Sequence, residues 1–369
     1  MGPPYTERLT RFRRDGLRRL VFVCVMLGAS WLLSSSAGAF RVIGSPSAGW
    51  ARWDAAPRYV GGEERSLSGG LRYSVETGSY AGLRDQFIWF PEVPTEQAFA
   101  GAVRRAFEHW TVVDEVTGLP AAFYFVEDLS TAAVDVFAVS GLMTSWTGPN
   151  ERAEVGLFFG LNAGAEVDLF AETPHAGSGF GGSVVFFVDP APGGLMLSSG
   201  RPGYSGRAIS GADIRINPRF QWTLSGFEIL LTHEIGHVLG FADLEASVEG
   251  SLVSAFLDDD YDPNSSAQAG ATLTNPFALS VDPYDPDGSG LSSHAGAMGS
   301  DPGLSSLGVE LLMESDGFFD LTHATQKLQN DEIAGRQFLY PVALPEPGVG
   351  LMLAVGAATL SWCAERRAR

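Results

Sequence analysis

Along the first two thirds of this chain, apolar residues gather in short runs separated by turns, some of them alternating with polar residues. Leu71-Arg72-Tyr73-Ser74-Val75 alternates, and residues 121–126, 133–139 and 182–189 are apolar runs that also look like strands, the last followed by a Pro-Gly turn. Asp213-Ile214-Arg215-Ile216-Asn217 is a further short alternating strand. That period predicts strands with one face toward a core. The period lengthens three times. Pro94-Thr95-Glu96 opens a helical stretch with Phe99, Val103, Phe107 and Trp110 on one face. A second helix starts near Thr223-Leu224-Ser225 and buries Leu230, Leu231, Ile235, Val238 and Leu239. A third runs over residues 330–340, with Asn330 as N-cap and acidic residues in its first turn, where they suit the helix dipole. Residues 40–70 show little periodicity and read as an extended leader or short pro-segment. Residues 244–310 are acidic and rich in Gly, Ser and Pro, and read as a long loop insertion. Strands first and helices later predict an α+β domain over residues 71–340, with a twisted mixed sheet.

The two ends follow another pattern. Arg8, Arg11, Arg13, Arg14, Arg18 and Arg19 precede an apolar run from Leu20 to Leu33, and Ala37-Gly38-Ala39 offers a small-x-small cleavage site before Phe40. This is the order of a secretory signal, so residues 1–39 are expected to direct export. The run is shorter than the ~20 residues a spanning helix needs. At the other end, Leu344-Pro345-Glu346-Pro347-Gly348 leads into an apolar stretch from Val349 to Ala364, then Arg366, Arg367 and Arg369. Residues 341–369 thereby resemble the PEP-CTERM sorting signal of Gram-negative bacteria, which implies an exosortase-type processing enzyme as a partner. An ordinary single-pass anchor fits the same pattern. In both readings the arginines stay on the cytoplasmic side and the tail is the only membrane contact. The region between is then exported to the cell envelope, the outer surface or the extracellular matrix.

Charge and cysteine use narrow the chemistry. Acidic residues number 43 against 24 basic, a formal net charge of −19, and nine of the basic residues lie in the terminal segments. The stretch between repels nucleic acid and anionic lipid and favours cations. The two cysteines, Cys24 and Cys363, also lie in the terminal segments. The processed domain therefore has no disulfide, thiol nucleophile or cysteine zinc ligand.

The chemistry concentrates in His233-Glu234-Ile235-Gly236-His237-Val238-Leu239-Gly240-Phe241-Ala242-Asp243. Histidines four residues apart on a helix share a face, so both imidazoles can reach one metal ion. Glu234 sits close enough to hold a metal-bound water and take its proton. Gly240 allows a sharp exit from the helix. That turn brings Asp243 back as a third ligand, leaving a fourth position for water, the mark of a catalytic Zn²⁺ site.

With this motif the chain resembles a metzincin zinc metalloprotease, and within that clan a bacterial matrixin, over roughly residues 70–340. Phe107-Glu108-His109-Trp110 is similar to the end of the early matrixin helix, and residues 331–340 are similar to its C-terminal helix. The resemblance implies a metzincin-like zincin domain and a secreted zinc metalloendopeptidase acting on a protein or peptide substrate, with Glu234 as general base. It also implies a methionine turn beneath the ligands. Leu311-Leu312-Met313-Glu314-Ser315 looks like that turn, and Met298 is a weaker candidate. Three departures stand out. Most metzincins have histidine where this chain has Asp243, as in the snapalysin group; a carboxylate ligand cancels part of the metal's charge and is expected to raise the pKa of the bound water. Val185 and Phe186 stand where animal matrixins place a structural-zinc histidine, so no second zinc is expected and His175 becomes a loop hydrogen-bonding residue. The insertion separates the zinc motif from the methionine turn by far more than is usual.

Other candidates are subordinate. Residues 258–262 and the loop bearing Asp282, Asp285 and Asp287 are carboxylate-dense and suit Ca²⁺, although Pro283 and His294 break the EF-hand spacing. A solvated acidic loop is the alternative. His294 or His323 could replace Asp243 as ligand, and His109 reads as structural. Two other functions fit the same residues: a non-catalytic surface or matrix binding protein on a degenerate metzincin fold, and a zinc hydrolase acting on a non-peptide bond.

Overall fold

The computed structural model describes residues 39–45, 48–60, 63–75, 78–114, 118–130, 134–138, 167–169, 181–188, 194–198, 200, 203–204, 206–218, 220–243, 248–249, 252–258, 292–294, 312–313, 328 and 330–342. In chain order the strands are β1 (Ala39–Ser45), β2 (Gly49–Trp53), β3 (Tyr59–Val60), β4 (Glu63–Glu64), β5 (Leu71–Val75), β6 (Ile88–Trp89), β7 (Phe125–Glu127), β8 (Val134–Ala138), β9 (Val167–Leu169), β10 (Gly181–Val188), β11 (Arg207–Ile216), β12 (Gln221–Trp222), β13 (Val248–Glu249), β14 (Leu252–Asp258) and β15 (Ser292–His294). The helices are α1 (Tyr80–Arg84), α2 (Glu96–His109), α3 (Leu224–Val238) and α4 (Asn330–Leu339). The architecture is α+β.

Eleven of the described strands form one mixed sheet around β11. One side of β11 carries two parallel strands end to end: β2 pairs with Arg207–Ile209 and β8 with Ala212–Ile216. The other side carries β10, antiparallel, along nearly its whole length. Beyond β8 the sheet continues parallel through β5 and β7. Beyond β2 it turns antiparallel through the β1–β2 hairpin to β14. The register of β10 on β11 slips between Phe186 and Phe187, leaving Ser210 as an extra residue in β11. That bulge resets the alternation. It explains why only the second half of this strand stands out in the sequence.

Threonines cap α2 and α3, while Asn330, expected to cap α4, is instead its first residue. Thr95 Oγ1 accepts from Ala98 N at 3.1 Å, and Thr223 Oγ1 accepts from Gly226 N at 3.0 Å. Phe99, Val103 and Phe107 of α2 are buried as their spacing requires. Phe107 stacks on Tyr73 of β5, with ring centroids 3.9 Å apart. α3 is buried all round from Gly226 to Val238, the expected state of a helix apolar on every side. It lies between α2 and the β10–β11 pair.

Residues 40–70 are not an extended leader. β1 and β2 lie within the sheet, and Phe40, Val42, Ile43, Trp50, Ala51 and Trp53 are all buried. The alternation was hidden because Arg41 and Arg52 are buried among them. Arg52 Nη1 donates to Phe338 O (3.0 Å) and Leu339 O (3.1 Å), so this arginine caps the C-terminus of α4. Its guanidinium also lies over the Tyr204 and Phe338 rings. The stretch 244–310 is likewise not all loop, since β13, β14 and β15 lie within it and β14 pairs with Ala39–Ile43 of β1. Among the described residues no helix is long and apolar enough to cross a membrane. Residues 1–38 of the expected export signal and the tail beyond residue 342 lie outside the described residues, while Ala39 opens β1.

Candidate metal centre

α3 ends in a turn set by hydrogen bonding. Gly240 adopts φ +96°, a conformation that side-chain-bearing residues rarely take. Its N–H donates to His237 O (2.9 Å), and Phe241 N–H donates to Gly236 O (3.1 Å). These two bonds make a Schellman motif and reverse the chain. Asp243 thereby returns to the face that carries His233 and His237.

The three side chains converge. His233 Nε2 and His237 Nε2 are 3.0 Å apart, and Asp243 Oδ1 lies 3.3 Å and 3.2 Å from them. All three residues are at most 2% exposed. The other ring nitrogens settle the tautomers. His233 Nδ1 donates to Leu312 O at 2.6 Å, and His237 Nδ1 donates to Phe241 O at 3.2 Å. With its proton on Nδ1, a neutral imidazole presents only a lone pair at Nε2. Two lone pairs and a carboxylate oxygen then face one another away from water. Such an arrangement requires a positive charge among them. This buried trio can hold a metal ion. A tetrahedron with arms of ~2.0 Å, the zinc–nitrogen distance, has edges of ~3.3 Å, which these separations match.

The same demand appears in the titration of the cluster. Burial alone would raise the Asp243 carboxyl, but the two imidazoles hold it well below the usual carboxylate range. Burial would lower His233, and its contact with Asp243 brings it above the ordinary imidazole value. Glu234 behaves differently: burial pushes it up.

Glu234 follows His233 on the helix and is 1% exposed. Ser183 Oγ lies 2.7 Å from its Oε2 and 3.0 Å from its backbone carbonyl. Ser183 shares a buried face of β10 with Val185 and Phe187, so β10 reaches the carboxylate directly. Along Ser183–Val185 the far edge of β10 pairs with β9.

Leu312 and Met313 close the other side. The Leu312 carbonyl orients His233, and Met313, 2% exposed, lies against Gly236. A Cβ at Gly236 would overlap Met313 Sδ and approach Trp110 at 2.9 Å. The helix therefore needs a glycine between its two histidines. Trp110 Nε1 donates to Thr232 O at 2.7 Å and its ring packs on Phe241. At the outer end of α3, Glu228 is bridged to α2 by Arg105 Nη2 and lies 3.4 Å from His109 Nε2. His109 thus joins the two helices.

The structure brings together His233, Glu234, His237, Asp243 and Met313. Asp282, Asp285, Asp287, Met298, His175 and His323 lie outside the described residues. His294 lies in β15, opposite Phe256. Sequence reasoning missed Ser183, Gly236, the Leu312 carbonyl and the β1 backbone. Ser183 carried a signal, as the hydroxyl on an otherwise apolar strand face; a backbone carbonyl carries none. No family model matches this chain, and no curated protein matches it.

Proposed function

We propose that the chain is a secreted zinc metalloendopeptidase with a metzincin-like zincin domain. The observation that carries this reading is the buried trio of acceptors, His233 Nε2, His237 Nε2 and Asp243 Oδ1, within 3.3 Å of one another beside Glu234. Imidazole nitrogens favour zinc over calcium or magnesium. The fold reading draws further support from the Met313 turn against the ligand helix, the antiparallel β10 beside that helix, and the C-terminal α4.

Zinc, when bound, supplies Lewis acidity toward water and the scissile carbonyl. His233, His237 and Asp243 hold it, with Leu312 O and Phe241 O fixing the two rings. Glu234 accepts the proton of the attacking water and passes it to the leaving amine. Its upward shift in this buried site suits it to both transfers. Ser183 holds the carboxylate in place meanwhile.

Burial of all four side chains favours a second reading, in which the metal only stabilises a surface or matrix binding protein and Glu234 does no chemistry. Hydrolysis of unfolded casein by wild type and Glu234→Ala separates the two. The protease reading expects zinc-dependent cleavage by wild type and a loss of at least ~100-fold in the variant. Equal, negligible turnover by two folded, zinc-loaded proteins would instead support the binding role.

A further inference from the structure

The backbones of His233 and His237 are fixed within α3 and their rings by Leu312 O and Phe241 O, whereas Asp243 lies beyond the helix. The Schellman bonds start the turn at Gly240 and Phe241, and a second set of contacts holds it from outside the helix. β1 supplies the contacts. Ile43 N–H donates to Gly240 O (2.9 Å), Ala242 N–H donates to Arg41 O (3.1 Å), and Val42 forms an antiparallel bridge with Phe241. Residues 240–242 thus behave as a short strand added to one side of β1.

Neighbouring groups tighten the same joint. The Val238, Leu239 and Gly240 carbonyls, which have no acceptor role left inside α3, are taken by Trp53 Nε1 (2.8 Å), Tyr340 Oη (2.7 Å) and Ile43 N. The Ala51 carbonyl of β2 packs against Gly240 so closely that a Cβ there would come within 2.6 Å of it. β1 is anchored in turn. β14 pairs with Ala39–Ile43, and Phe40 is buried against Phe338 of α4, with ring centroids 5.3 Å apart.

We propose that β1 is a positioning element of the metal centre: it clamps the Gly240–Ala242 turn and so sets Asp243 against His233 and His237. This rests on the metal-binding reading of that trio. The strand is then the opposite of a pro-segment. A pro-segment covers a site and is cut away to open it, whereas trimming the chain past Phe40 dismantles this one. Cleavage before Phe40, as the signal pattern predicts, leaves the clamp whole.

Ile43→Pro in the full chain removes the N–H that Gly240 O accepts, and its effect is read as zinc affinity by chelator competition. Loss of a partner that orients a ligand lowers metal affinity by about 10–100-fold. That loss is the expected result, with the cobalt-substituted variant showing an altered visible spectrum, as Asp243→Ala is also expected to do. A folded Ile43→Pro protein with wild-type zinc affinity and cobalt spectrum would overturn the clamp while leaving the metal reading intact. Failure of wild type to bind zinc at all would overturn both. Because proline in a sheet strand can prevent folding, amide exchange in the wild-type chain supplies the second arm. Coupling is reciprocal, so zinc should slow exchange at Ile43 and Ala242 by about 10-fold or more, and should not do so in Asp243→Ala. Unchanged exchange at both amides on zinc binding would overturn the proposal even if Ile43→Pro never folds.

Discussion

Single atoms decide what this site can do. Ser183 Oγ lies 2.7 Å from the Glu234 carboxylate and is not one of the three ligands. Removing it should therefore loosen the base without emptying the site. Ser183→Ala is expected to lower kcat for casein hydrolysis by about 10-fold with zinc content unchanged, measured by steady-state kinetics and metal analysis on the same sample. A variant with unaltered kcat would show that Ser183 only packs. Gly236 makes the converse case. Alanine inside a helix is ordinarily about 1 kcal/mol better than glycine, yet here the added methyl meets Met313 and Trp110. Gly236→Ala should destabilise the protein by about 1–3 kcal/mol, the range for overpacking, and weaken zinc binding as Met313 is displaced. A raised midpoint in thermal unfolding would contradict that packing. The ligands themselves were legible in the sequence because helical spacing and a glycine exit are local properties. Ser183 and the Leu312 carbonyl reach the site from positions 51 and 79 residues from Glu234 and His233. Their partners are set by the fold, which no local pattern displays.

At the scale of elements, the junction of α2 and α3 gives a pH dependence whose sign can be worked out. Burial alone would raise Glu228, but hydrogen bonds from His109 and Arg105 bring it below its ordinary value of 4.5. A carboxylate with a depressed folded value contributes stability above the unfolded value and loses it as pH falls through the folded one. Wild type should therefore lose stability to acid below about pH 4.5 more steeply than Glu228→Gln, measured by urea unfolding at a series of pH values. Parallel slopes would show that the junction is not electrostatic. The elements themselves were unevenly legible. α2, α3, α4 and β5 follow their periods, and β8 and β10 stand out as apolar runs of the sequence. β1 and β2 do not, because Arg41 and Arg52 are buried within them and read as surface residues. β14 was hidden in an acidic, glycine-rich stretch whose composition resembles loop, although Leu252-Val253-Ser254-Ala255-Phe256-Leu257 is a strand-forming run.

For the whole molecule, the sheet and helices form a frame around one joint. α3 delivers two histidines and Glu234, the turn after it delivers Asp243, β10 reaches the base, and β1, β2 and Tyr340 hold the exit of the helix. Elements from both ends of the domain meet there, since β1 and α4 pack together. The proposal of an exported protein rests on sequence pattern alone, the strong acidity of the chain and its arginine-rich terminal segments. The central claim is chemical: three acceptors with no cysteine among them hold one zinc ion. Zinc K-edge absorption on the purified protein tests it most directly, with His237→Ala as control. The account predicts one zinc per chain, ligated by nitrogen and oxygen at ~2.0–2.1 Å and lost on dialysis of the variant. A wild-type protein that retains no zinc, or retains it equally well without His237, would contradict the account.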